Sequence, residues 1–302
     1  MTEKLISVVI PAYNYALTLP RAVESVLAQL DEAAADLLVI DDGSTDETPE
    51  VLEKLLAKHG RRFRALRKSN GGLSSVRNRG IEETTGQYLI FLDADDEMAP
   101  GAMAALSQHI ASNSNTRMVI GAHWSVFADG RRSLHSAKPL PMTYRHRLQG
   151  YLLDKTVSIS NGACAMHRDV FAPGNYPEHL RNVEDLPVFA QVLARYPCTV
   201  LNTPLALIYK HADSMRHDLR QSLAAGTEQV VSEVFSSLRM PEELRDLRQA
   251  FRVQRCLSLL LDCDSRCEYV LARGFYFPAL RADWRTFARW SYTRKALRLL
   301  FR

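Results

Sequence analysis

The chain has 302 residues, of which 46% are apolar and 24% charged, with a net charge of +4. This length allows one to two domains with a substantial core, and this balance excludes a disordered or fibrous chain. The charge is uneven: Arg273 to Arg302 carry eight Lys or Arg against Asp283 alone, so this stretch is +7 and the rest is −3. The first hundred residues alternate strand and helix signals. Leu5–Ile10 reads as a strand, followed by a loop at Pro11-Ala12-Tyr13-Asn14. Leu19–Leu30 has helical spacing, with Pro20 tolerable in the first turn. Leu37–Ile40 is a second buried strand ending in Asp41-Asp42-Gly43-Ser44-Thr45-Asp46. A helix follows over Glu47–Lys58, with Thr45 or Asp46 as its cap. Phe63–Arg67 is a third strand, Ser69-Asn70-Gly71-Gly72 a loop, Leu73–Thr84 a helix and Gln87–Asp93 a fourth strand. This alternation predicts an α/β fold with a doubly wound, mostly parallel sheet and right-handed crossovers.

Beyond Asp96 the pattern loosens. Ala99–Ile110 looks helical, and Met118–Phe127 and Arg132–Ala137 flank the turn signal Asp129-Gly130, which predicts a small antiparallel part. Cys164–His167 and Thr199–Tyr209 are further strands, with a helix over Val183–Arg195 between them. From Met215 on, nearly everything reads helical: Gln221–Leu238, Glu242–Leu261, Cys267–Arg273 and the tail. We therefore expect a domain over 1–215 and a C-terminal helical region over 216–302. The five cysteines are odd in number and lack a CxxC pattern, so neither a disulfide framework nor a zinc site is expected. No run of about 18 apolar residues predicts a membrane-spanning helix. Met1-Thr2-Glu3-Lys4 leads into a short strand rather than a signal peptide, so the expected location is cytoplasmic.

The chemistry concentrates where Tyr88-Leu89-Ile90-Phe91-Leu92 runs into Asp93-Ala94-Asp95-Asp96. Open α/β sheets bind ligands at the C-terminal ends of their strands. If the extended backbone continues past Leu92, Asp93 and Asp95 point to one side, where they form either a solvated acidic turn or a site for Mg²⁺ or Mn²⁺. Pro11–Asn14 and Asp41–Asp46 end at the same sheet edge. Arg77 can reach a phosphate or base, and Asn70-Gly71-Gly72 permits close backbone approach. Neither GxGxxG after the first strand nor GxxxxGK[ST] is present, which weighs against dinucleotide and P-loop sites.

Together, Val8-Val9-Ile10-Pro11-Ala12-Tyr13-Asn14, Ile40-Asp41-Asp42-Gly43-Ser44-Thr45-Asp46, Asn70-Gly71-Gly72 with Arg77-Asn78, and Phe91-Leu92-Asp93-Ala94-Asp95-Asp96 resemble family 2 glycosyltransferases of the GT-A fold. The resemblance implies an inverting, Mn²⁺- or Mg²⁺-dependent transferase. It would move a sugar from a nucleotide-sugar donor, UDP favoured, to a hydroxyl of a glycan or lipid-linked acceptor in cell-surface polysaccharide or lipopolysaccharide assembly. Pro11, Ala12, Tyr13 and Asp42 would line the nucleotide pocket, with Asp41 the weaker of its pair. Arg77 would help hold the nucleotide. Asp93-Ala94-Asp95 would be the DxD motif, with Asp93 towards ribose and metal and Asp95 as the direct metal ligand. Asp185, in the pair Glu184-Asp185, would be the catalytic base. In Tyr209-Lys210-His211, His211 would contact metal or phosphates. Glu184-Asp185 can also be read as the acidic first turn of a helix.

Two other readings stand beside this one. A sugar-phosphate nucleotidyltransferase would need a Gly-rich basic loop where Pro11–Asn14 stands, and a non-catalytic glycan-binding protein of the same fold would not need Asp93, Asp95 and Asp185 together. The tail Trp284–Arg302 mixes aromatic and basic residues, which suits an inner membrane face, but at 100° per residue Trp290 and Leu297 fall among polar directions. Peripheral membrane binding and packing on the domain are both open for it. No nucleic-acid partner is expected.

Overall fold

β1 (Ile6–Ala12) shows how the sheet is built: Ile6, Val8 and Ile10 face one helical layer and Val9 faces the other, all fully buried. Apolar side chains pointing both ways are what a strand covered on both faces requires, and the polar residue among them, Ser7, is buried with its hydroxyl donating to Asp36 Oδ1 at 2.6 Å. The structure, a computed structural model, describes residues 4–210 and 226–300. β1 pairs in parallel with β2 (Ala35–Asp41) and β4 (Tyr88–Phe91), and β2 pairs in parallel with β3 (Arg64–Arg67). β1 runs through Pro11-Ala12, expected as loop, in register with Ile40-Asp41.

Past β4 the sheet becomes mixed. Its order is β3-β2-β1-β4-β8-β6-β9-β5, with β5 at Glu97–Met98, β6 at Met118–Phe127, β8 at Cys164–His167 and β9 at Cys198–Lys210. β8, antiparallel to β4 and β6, and β5, antiparallel to β9, are reversed, while β6 and β9 run with β4. β7 (Arg132–His135) pairs antiparallel with β6. Their hairpin closes through Gly130 N–H to the Phe127 carbonyl at 2.8 Å, a three-residue loop rather than the two-residue turn that Asp129-Gly130 suggests.

α1 (Leu19–Leu27), α2 (Thr48–His59) and α4 (Ala102–Ser112) cover one sheet face, where Val23, Leu52 and Leu106 join the β1 side chains. α3 (Leu73–Glu83) and α6 (Asp185–Arg195) cover the other with Val76, Val188 and Phe189. Gly80 lets α3 lie close on β1, since a Cβ there would sit 2.7 Å from Val9 Cγ1. α1 stops three residues short of the expected Leu30 and passes into a 3-10 turn at Leu30–Glu32. The sequence reading missed α5 (Tyr144–Leu152), where Arg145, His146 and Arg147 dilute the apolar spacing, and it missed the two-residue β5.

The C-terminal helices are α7 (Thr227–Val234), α8 (Leu247–Ser265), α9 (Tyr269–Ala282) and α10 (Trp290–Leu300). Of the expected helix Gln221–Leu238, residues 221–225 lie outside the described residues. Val230, Val234 and Phe251 share an apolar cluster with Leu148 of α5 and Ala190 of α6, so α7 and the start of α8 dock on the sheet-covering helices. Cys164, Cys198, Cys256 and Cys263 are buried free thiols and Cys267 is exposed. Among the described residues, no helix is long and apolar enough to cross a membrane.

Candidate active site

The acidic segment after β4 is a turn. β4 ends at Phe91, and Asp96 N–H donates to the Asp93 carbonyl at 3.0 Å, so the extended geometry expected past Leu92 does not occur. The turn gathers the carboxylates in a different way. Asp93, Asp95 and Asp96 each present an oxygen, and these atoms lie within 4.8 Å of one another. Ala94, expected at the donor site, is buried in the core beneath the turn, so its methyl group contributes nothing to the rim.

Arg21 of α1 fixes this turn by donating from Nη2 to the Asp95 carbonyl at 2.6 Å while Nε lies 3.0 Å from Glu97. Its guanidinium also stacks 3.6 Å from the centre of the Tyr209 ring, and Tyr209 N–H donates to Asp96 Oδ1 at 2.8 Å. The end of β9 is thereby tied to the acidic turn. His211 lies outside the described residues, so its expected contact is not located here.

Three hard carboxylate oxygens this close repel unless a cation or a proton joins them, and the donor set fits Mg²⁺ or Mn²⁺. Burial first, then Asp93 and Asp95, push the Asp96 carboxyl up to about 8. The folded chain therefore holds this proton at pH values where the unfolded chain, titrating near 4, has lost it. Without divalent cation, stability should fall as pH rises from about 4 to about 8. Asp96→Asn, which keeps the acceptor for Tyr209, should flatten that slope in urea titrations across this range. An unchanged slope would mean Asp96 is not its source.

The second part of the site is a cleft of about 370 Å³ whose lining includes Pro11, Ala12, Tyr13, Asp42, Gly71 and Glu184. Asp41 is buried and turned away: Oδ1 accepts from Ser44 N–H at 2.9 Å and Oδ2 lies 3.2 Å from Arg67 Nε. Asp42 organises the glycine loop by accepting from Gly71 N–H at 3.0 Å, Gly72 N–H at 2.7 Å and Lys68 Nζ at 2.6 Å. Gly71 N–H also reaches Asp42 Oδ2 at 3.2 Å, so both carboxylate oxygens are taken up in holding this loop. Gly43 permits this loop contact, because at φ +74° a Cβ would come 2.9 Å from Asn70 N. Neither Thr45 nor Asp46 is the N-cap of α2: that position is Glu47, and Asp46 one residue earlier accepts from Thr48 N–H at 3.0 Å.

Arg77 is placed differently from the sequence expectation. Its side chain is buried, with Nη1 2.7 Å from Glu184 Oε1 and Nη2 3.4 Å from Asp93 Oδ1. It does not line the cleft; it bridges the start of α6 to the acidic turn. Burial pulls its pKa down, but Glu184 foremost, with Asp93 and Asp185, more than restores it, so the guanidinium stays charged. Asp185 is the first residue of α6 and is half-buried, next in chain to Glu184.

Tyr15 escaped sequence reasoning, and so did the pairing that Glu184 makes. Tyr15 lines the cleft, and burial followed by Asp95, Asp93 and Asp96 raises its hydroxyl pKa. Its position two residues after Tyr13 was the available signal. Glu184 is the partner of Arg77, a pairing across more than a hundred residues that no local pattern announces.

The family model for glycosyl transferase family 2 matches residues 7–173. An uncharacterized glycosyltransferase, YibD of Escherichia coli K12, is 43% identical over 99 residues, covering 33% of this chain and 28% of that protein. Chondroitin synthase of Pasteurella multocida is 34% identical over 126 residues, covering 42% of this chain and 13% of that protein. The matched segments thus span only a minor part of these relatives. Among solved structures, residues 1–349 of Staphylococcus aureus TarS in complex with UDP-GlcNAc align with a TM-score of 0.68 at 18% identity, over 98% of this chain and 90% of that one. That likeness bears out the expected GT-A fold. With a family model spanning more than half its length and the acidic turn, glycine loop and β1 cleft at one sheet edge, the chain belongs to glycosyl transferase family 2.

Proposed function

We propose that this protein is an inverting, metal-dependent glycosyltransferase. It moves a sugar from a nucleotide-sugar donor, UDP favoured, to a hydroxyl of a glycan or lipid-linked acceptor in cell-surface polysaccharide or lipopolysaccharide assembly. The observation that carries this reading is the adjacency of two features, an acidic turn with three clustered carboxylate oxygens and a cleft walled by Pro11–Tyr13, Asp42 and the glycine loop. The nucleoside would lie against Pro11, Ala12 and Tyr13, with Asp42 lining the base pocket through the glycine loop it holds. Asp95 and Asp93 would hold Mn²⁺ or Mg²⁺, which when bound neutralises charge on the departing diphosphate. Asp185 takes the proton of the acceptor hydroxyl as it attacks the anomeric carbon. A single base with direct displacement inverts that centre. Residues 1–215 form the transferase domain in this reading, and 216–302 a helical region docked on it. The enzyme would work in the cytoplasm at the inner face of the cell membrane.

The name of the TarS complex supports the donor class, since that protein binds UDP-GlcNAc on the same fold. A thermal-shift screen of nucleotide sugars tests the donor without an acceptor, because a ligand that binds only the folded state raises Tm. UDP-sugars with Mn²⁺ should raise Tm, and Asp95→Ala should remove the Mn²⁺-dependent part of the shift. A shift that survives in Asp95→Ala places the metal elsewhere.

A further inference from the structure

We infer that the outer surface of α9, α10 and the turn between them docks on an anionic lipid bilayer through exposed aromatic side chains and flanking arginines. Seven of the thirteen large apolar side chains that are exposed among the described residues fall within 270–297. Scattered exposed apolar residues need no explanation, but this concentration does. Val270 and Phe277 stand on the outward face of α9, one heptad apart, while Ala272, Tyr276 and Ala279 face inward. In the 3-10 turn that follows, Trp284 is 76% exposed and Phe287 60%.

α10 resolves the two readings of the tail by having two faces. Thr293, Ala296 and Leu299 are buried, and Tyr276 Oη lies 2.8 Å from Thr293 Oγ1, so this helix packs on α9. Its other face carries Trp290 with Arg294, Leu297 and Arg298, at spacings of four, seven and eight residues. The residues that break the expected apolar stripe are those left outside when small residues make the seam.

Charge selects the partner. Arg281, Arg285, Arg289 and Arg294 flank the aromatic residues and are exposed, whereas Lys295 and Arg298 pair with Asp264 at 3.8 and 3.0 Å. The nearby Asp283 is occupied in accepting from Arg285 N–H at 3.0 Å. Tryptophan rings at headgroup level and arginines on anionic lipid are the physical means by which an interfacial helix binds. A second copy of the chain meeting this surface isologously would set the same arginines against one another. This inference deepens the proposed place of action, and its residues lie outside the transfer site.

The test is co-sedimentation of the full chain with vesicles of phosphatidylcholine, with or without phosphatidylglycerol. Binding is expected only when phosphatidylglycerol is present, and should weaken as salt is raised. Combined Trp284→Ala, Phe287→Ala and Trp290→Ala should abolish most of the binding. Arg285→Glu with Arg294→Glu should lower the partition coefficient at least about 30-fold. Circular-dichroism melting and release of nucleoside diphosphate from donor alone should match the parent in both variants, which separates this inference from the transferase reading. Equal sedimentation of parent and variants overturns it. So does a dimer, seen by light scattering, that the aromatic substitutions dissolve, because the surface then covers a second copy.

Discussion

Replacing Asp185 with asparagine is expected to slow sugar transfer about 10²–10⁴-fold, the usual contribution of a general base, while donor affinity stays close to that of the parent. The choice between the two adjacent carboxylates rests on what each already does. Glu184 is buried and held 2.7 Å from Arg77, so taking up a proton there would dissolve a buried ion pair. Asp185 begins α6 and is half-buried, so an acceptor hydroxyl can approach it. Steady-state release of nucleoside diphosphate measures the effect, and slow hydrolysis of the donor, with water in place of the acceptor, suffices when the acceptor is unidentified. A base that acts only as the hydroxyl attacks should lower kcat and kcat/KM together. Donor binding by calorimetry should be unchanged, because Asp185 does not line the nucleotide cleft. A variant that turns over at the parent rate removes Asp185 from this role.

Much of this site was legible in the sequence because its parts are local. Apolar runs ending in Asp41-Asp42 and in Asp93 fix both the strands and the edge at which the polar residues emerge, and the parallel pairing of β1 with β2 and β4 follows from the βα alternation. What failed was geometry beyond one element. Asp93 and Asp95 come together through a turn rather than along an extended strand, a distinction the residue types alone do not carry. Ala94 was included because it sits inside a motif, yet a motif's middle residue can face the core, as this one does. Arg77 reads from sequence as a cation near a phosphate site. Only the placement of Glu184, just before α6, beside α3 shows that the Arg77 charge is already shared between Glu184 and Asp93. The C-terminal helices posed the opposite difficulty: their aromatic residues blurred the period because two faces are apolar, one packed and one exposed.

Arg77→Ala is expected to destabilise the fold by about 3–5 kcal/mol, the typical cost of removing one partner of a buried ion pair. The guanidinium is almost wholly buried, and Glu184, on which it acts, is 6% exposed, so solvent cannot take over the lost contact. Its Cζ also lies 5.2 Å from the centre of the Tyr176 ring, an aromatic contact that alanine would leave open. Urea unfolding at constant pH measures the loss. The diagnostic comparison is Arg77→Met combined with Glu184→Gln, which removes both charges and keeps most of the volume. If the penalty is the stranded carboxylate, this pair should recover a large part of the stability that Arg77→Ala loses. It should not recover turnover. Arg77 contacts both Glu184 at the start of α6, next in chain to Asp185, and Asp93 of the acidic turn. With the charges gone the two catalytic elements lose their common brace, and displacement by an ångström is enough to cost about 10² in rate. Stability recovered with activity still lost would identify Arg77 as a positioning residue; full recovery of both would show that its only task is to neutralise Glu184.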